Sequence, residues 1–112
     1  MADQREVREG RQEIGLNEEY VWQIKTYVKD ENGSYVNPSS LGSVKVESLI
    51  NGTYTDKTST ILSGAGSTSG RNLILPKWQK GTATVGVKYL LIAPYVVGGN
   101  TFEELVWIEV VR

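Results

Sequence analysis

The side chains that most often run chemistry near neutral pH are missing: the 112-residue chain has no His and no Cys. The first absence removes the commonest general base and the commonest metal ligand. The second removes thiolate metal sites and any disulfide framework. A serine nucleophile needs a base beside it, and the Ser-x-x-Lys spacing that supplies a lysine occurs nowhere in the chain. Carboxylates remain. Glu103-Glu104 and Glu18-Glu19 are adjacent pairs, and neighbours on a strand point to opposite faces. Without a bulge they cannot form the converging pair of a glycosidase. These residues predict a protein with no catalytic residue, not an enzyme.

Two segments invite a ligand. Gly64-Ala65-Gly66-Ser67-Thr68-Ser69-Gly70-Arg71 suggests a phosphate loop. That motif wants four residues between its glycines, then Lys and Ser or Thr, then a helix whose amides hold the phosphates. Here the spacings are three (Gly66 to Gly70) or five (Gly64 to Gly70), Arg71-Asn72 follows, and no helical period comes after. A mobile loop over residues 63–72 is the expectation. Asp30, Glu31 and Asn32, with Asp56 as an outside partner, bring oxygen ligands together as a calcium loop does. Three adjacent residues rarely supply the six to eight oxygens the ion takes, and an Asx turn is the plainer reading. No cofactor and no metal are expected.

The aromatic residues carry the remaining signal. Trp22 is in phase with Ile24 and Val28, so it is expected in the core. Trp78 follows Pro76 in an expected turn, and Trp107 is out of phase with Phe102, Val106 and Ile108. With Tyr95, beside the Gly98-Gly99 turn, these two are the candidate contact residues, because exposed aromatics are enriched in binding hot spots. The plainer reading is that they cover the open ends of a sandwich. Between residues 3 and 13, Asp3, Arg5, Glu6, Arg8, Glu9, Arg11 and Glu13 alternate in sign around a single aliphatic residue, Val7. Residues 1–15 are read either as a frayed, solvated terminus or as an arm that orders on a neighbouring subunit. In the second case Arg5, Arg8 and Arg11 join the contact set.

The elements that must position these residues are strands. The chain is 39% hydrophobic and 22% charged, with a net charge of −1, which fits one globular domain and gives no reason to expect a nucleic-acid partner. The longest nearly apolar run, residues 89–97, contains Pro94 and is too short to span a bilayer. The start, Met1-Ala2-Asp3-Gln4, lacks the apolar segment of a secretory signal, and none is expected. The pattern predicts strands over residues 20–28, 42–50, 53–62 (one strand or two short ones), 73–75, 82–93 and 101–111, with a short return strand over 34–36. Asn32-Gly33, Asn51-Gly52 and Gly98-Gly99 mark turns between them, and residues 77–81 read as another. About seven short strands argue for an all-β sandwich or barrel.

The order of features resembles the immunoglobulin-like β-sandwich domains of bacteriophage structural proteins. The resemblance covers residues 16–112. It rests on the long first strand, Asp30-Glu31-Asn32-Gly33, Val36-Asn37-Pro38, the strand from Val44 to Ile50, Leu73-Ile74-Leu75-Pro76, the segment 81–89 and the Gly99-Asn100-Thr101-Phe102 hairpin. It implies a seven-stranded antiparallel sandwich behind a charged arm, and a capsid decoration, head–tail, neck, tail or baseplate role in the virion after assembly in the host cytoplasm. Its partners would be other virion proteins or copies of itself, with no nucleic acid and no membrane. Bacterial surface and cell-wall-binding sandwich domains show much the same order, and a carbohydrate-binding or adhesive module is the alternative. They offer a second expectation: a glycan stacked on Trp78 or Trp107.

Overall fold

The computed structural model describes the backbone of residues 3–7 and the full residues 10–112. The described elements are strands β1 (Asp3–Val7), β2 (Arg11–Gly15), β3 (Tyr20–Lys25), β4 (Ser40–Leu41), β5 (Lys45–Ile50) and β6 (Thr53–Asp56), a helical turn α1 (Thr58–Ile61), then β7 (Leu62–Ser63), β8 (Ser67–Ser69), β9 (Asn72–Ile74), β10 (Lys77–Trp78), β11 (Lys88–Val97) and β12 (Asn100–Val111). They form two sheets. The first runs β7-β10-β3-β9-β8, with β1 on β3; the second runs β2-β12-β11-β5-β6, with β4 on β11. The fold is all-β, two sheets over one core.

The second sheet is built on two tight hairpins. Val97 pairs with Asn100 across Gly98-Gly99, and Ile50 pairs with Thr53 across Asn51-Gly52. All four turn residues have positive φ (57°, 81°, 51° and 78° in that order), the demand of a type I′ turn and the reason for Gly and Asn there. The β11–β12 ladder continues in unbroken register from Val97 opposite Asn100 to Lys88 opposite Glu109. Tyr89, Leu91, Ala93, Tyr95 and Val97 therefore all face the core, with Val106, Ile108 and Val110 beside them.

Pro94 does not interrupt β11. Its carbonyl accepts from the Gly42 amide, and a strand residue's N–H and C=O point to the same side. The missing N–H thus faces residues 42–44, where β4 has ended and β5 has not begun, so the ladder lacks a bond only where the partner strand is already broken. A Cβ on Gly42 would lie 3.1 Å from the Pro94 ring and 3.3 Å from its carbonyl oxygen, a close approach that glycine makes without crowding.

The first sheet contains a phase change. Ile74 is opposite Gln23 and Trp78 is opposite Tyr20, so four steps on one strand match three on the other. The extra residue is a bulge at Pro76. Leu73 and Leu75 face inward before it, and the slip turns Trp78 inward after it. Trp22 meets Trp78 edge to face at 5.3 Å, and Trp78 meets Tyr89 of the other sheet at 5.8 Å, tying the layers together.

Several sequence expectations need correction. The segment 77–81 begins as strand β10 and not as a turn, because the bulge lets pairing resume. The strand expected over 82–93 starts at Lys88, after a turn in which Thr84 donates its amide to the Tyr89 hydroxyl. Residues 58–61 are a helical turn, with Asp56 Oδ1 accepting from the Thr58 amide and hydroxyl. Residues 63–72 hold β8, hairpinned onto β9. Residues 11–15, expected within the arm, are strand β2, parallel to β12, with Ile14 opposite Val110 and buried.

Candidate interaction surface

The outer face of an antiparallel sandwich sheet is ordinarily polar. That of the second sheet carries an apolar stripe among its charges. The outward residues of β11 are Leu90, Ile92, Pro94 and Val96, all half-buried. Leu90 lies between Trp107 on β12 and Glu47 on β5; Ile92 lies between Leu105 and Lys45. Leu49 continues the patch to Tyr54 on β6. Leu105 and Tyr54 keep 52% and 49% of their surface in solvent. Strand β11 is therefore apolar on both faces, the pattern of a strand covered on both sides.

Charges edge the apolar stripe. Arg11 is the register partner of Trp107, and Lys88 pairs with Glu109 on one side and Leu49 on the other. Together with Glu13 these residues line a shallow groove of about 570 Å³. The groove holds cations, an indole and two carboxylates, Glu13 and Glu109, which are register partners on β2 and β12.

Of the six residues expected to make contacts, the structure brings two together, Arg11 and Trp107. Trp78 and Tyr95 are not exposed: 2% and 4% of their surface reaches solvent. The bulge at Pro76 accounts for the first, and the unbroken register of β11 through Pro94 for the second. The Tyr95 ring stacks on Phe102 at 5.7 Å and its hydroxyl donates to Glu104 Oε1 at 3.1 Å. Burial, with the Glu104 charge beside it, pushes the Tyr95 phenol up to about 12. Arg8 and the side chain of Arg5 lie outside the described residues; the Arg5 backbone stands opposite Trp22 in β1.

The two ligand-like segments are engaged with the protein itself. Asp30 Oδ1 accepts from the amides of Asn32 and Ser34, which is an Asx turn, while Asp56 is occupied by Thr58. In the glycine-rich segment, a Cβ on Gly66 would lie 2.8 Å from the Ile74 carbonyl oxygen and 2.4 Å from a Leu41 methyl. A strand follows it, not a helix.

One cluster escaped the sequence reading. Tyr27 and Tyr35 are 64% and 46% exposed, their rings 5.9 Å apart, with the Arg71 guanidinium 3.8 Å from the centre of Tyr35. The signal available was Tyr27, out of phase with Trp22 and Ile24 and just before a tight turn that brings Tyr35 back.

No protein-family model, curated protein or solved structure matches this chain.

Proposed function

We propose that the protein is a non-enzymatic virion structural module, a capsid decoration, head–tail or tail accessory subunit, that binds a protein lattice or a second copy of itself. The observation that carries the binding role is the outer face of the second sheet, where Trp107, Leu90, Ile92 and Leu105 form an apolar stripe edged by charges of both signs. Such an arrangement, with an apolar centre and a polar rim, suits a protein partner.

The strand order supports the immunoglobulin-like reading. With the broken strands joined, residues 20–25, 72–78 and 62–69 neighbour one another in one sheet, and residues 40–50, 88–97 and 100–111 in the other. That grouping is similar to the B–E–D and C–F–G arrangement of the immunoglobulin sandwich. The virion assignment rests on the resemblance to phage sandwich domains. The glycan reading now rests on Trp107 as its stacking platform, since Trp78 lies in the core.

The test combines molar mass in solution with the composition of purified particles. A concentration-dependent oligomer dissolved by Leu105→Glu, or recovery of the chain in purified virus particles that Leu105→Glu abolishes, supports the reading. A chain that stays monomeric at every concentration and is absent from particles overturns it.

A further inference from the structure

We infer that the Tyr27–Tyr35–Arg71–Lys29 cluster, at one end of the sandwich and away from the apolar face, is a receptor for a carboxylate on an acidic segment of a partner protein. The inference stands on how the guanidinium is held. Arg71 Nε and Nη2 both donate to the Thr26 carbonyl, at 3.1 and 2.9 Å. In return the Thr26 amide and hydroxyl donate to the Arg71 carbonyl, at 2.9 and 2.8 Å. Thr26 is fully buried, so the fork is fixed to the body of the protein. An ordinary surface arginine loses rotamer freedom when it binds; this one has already lost it.

The side edge of the guanidinium is used, but the end edge is not. Nη1 makes no hydrogen bond within the described residues, and no described carboxylate lies within ion-pair distance of Arg71 or Lys29. The end edge of a guanidinium offers two parallel N–H groups, which match the two oxygens of a carboxylate. Lys29 Nζ lies 4.9 Å from the Tyr35 ring centre, so two cations share one ring. Both cations are drawn to the ring's negative face, and a carboxylate would add the opposite charge that no described ion pair supplies here.

The surroundings are equally fixed. Lys29 and Tyr35 pair across a hairpin closed by Val36 N–H to the Val28 carbonyl and Asp30 N–H to the Ser34 carbonyl, both 2.9 Å. The Asp30 side chain, the nearest charge in sequence to oppose the site, is turned onto the amides of Asn32 and Ser34. A protein segment is favoured over an acidic sugar because a sugar stacks on a bare ring face, and Arg71 lies over that of Tyr35. The exposed tyrosines beside a held arginine are the composition of protein-binding hot spots.

The experiment is an NMR titration of the full chain at low salt with a short acetylated oligo-glutamate peptide, its oligo-glutamine counterpart, and an oligo-glucuronate. The Arg71 Nε–H and the amides of residues 27–35 are followed. Saturating shifts with glutamate and none with glutamine are expected. Arg71→Lys, which keeps the charge but loses the fork, is expected to weaken binding about tenfold or more. The two bonds to the Arg71 carbonyl are retained in that variant, and its remaining spectrum reports whether the fold is intact. Lys29→Gln, which leaves those bonds untouched, is expected to weaken binding severalfold. Equal binding by wild type and Arg71→Lys, or shifts spread over distant lysines, overturns the inference. Tighter binding of the glucuronate at the same signals overturns the choice of a protein segment. Neither result bears on the apolar face, which the solution-mass test addresses separately.

Discussion

The Tyr95 hydroxyl is held in the core by one carboxylate, and that makes it a reporter of folding. Its phenol ionises at about 12 in the folded protein, against 10.0 when free, because burial and the Glu104 charge both resist a second negative charge. The folded state keeps its proton more tightly, so the contribution is whole below pH 10 and falls as pH rises from 10 towards 12, where only the unfolded chain ionises at this position. Tyr95→Phe removes both the titration and the bond to Glu104. We expect the variant to be the less stable protein at neutral pH, and its deficit to shrink as pH passes from 10 to 12. Urea denaturation midpoints of the two proteins across that range check it; a constant gap would remove Tyr95 from the account of alkaline unfolding. The same residue illustrates what residue type leaves out. Tyr95 and Trp78 look alike in the sequence, aromatics next to a proline or a glycine turn, yet their burial is decided by what each proline does to strand phase.

Turn positions were legible from residue type because positive φ is a local demand: Asn51-Gly52 and Gly98-Gly99 lie where their chemistry requires. Phase after a proline is not local. Pro94 is absorbed in the middle of β11 because residues 42–44 leave a gap opposite it, and Pro76 forces a bulge because β3 continues past it. Both depend on strands distant in sequence, so the strand expected to end at Ala93 and the turn expected at Trp78 were misread. The glycine-rich segment shows the converse. Its composition argues for mobility, but Gly66 sits where a side chain would strike the Ile74 carbonyl and Leu41. The closeness is structural: the chain passes between β4 and β9 to reach β8. Gly66→Ala is therefore expected to destabilise the protein by about 1–3 kcal/mol, the usual cost of overpacking. Gly64→Ala is a different case, since its φ of +83° is strained for alanine but the space around it is open. Thermal unfolding of the Gly66 variant, read beside amide exchange at Ser67, which is in a hydrogen-bonded pair with Ile74, separates the two pictures. A variant as stable as wild type, with Ser67 exchanging freely, would restore the mobile loop.

At the scale of the molecule, the first strands do more than an arm would. Strand β1 adds to the first sheet beside β3 and β2 adds to the second beside β12, both parallel, so a single short segment belongs to both layers. Pairing continues past β2, where the Leu16 amide donates to the Val111 carbonyl at 2.8 Å. This changes what removal of residues 1–15 does. A peripheral arm could be cut away and leave the core whole. Here the cut takes Ile14 from the core, which alone costs about 2–5 kcal/mol by analogy with large-to-small core substitutions. It also uncovers the edge of β12, a twelve-residue strand with open hydrogen-bonding groups. The truncated protein is therefore expected to unfold at a markedly lower temperature and to gain, not lose, mass on light scattering as exposed edges pair. Two results would revise this. Truncation that turns a defined oligomer into a stable monomer would mean that the strands beside β3 and β12 come from another copy in solution. Truncation without effect on melting would mean that β2 adds nothing to the core despite the burial of Ile14. Because Leu105→Glu alters the outer face and leaves both edges intact, comparing the two variants distinguishes association through the apolar stripe from association through the strand edges.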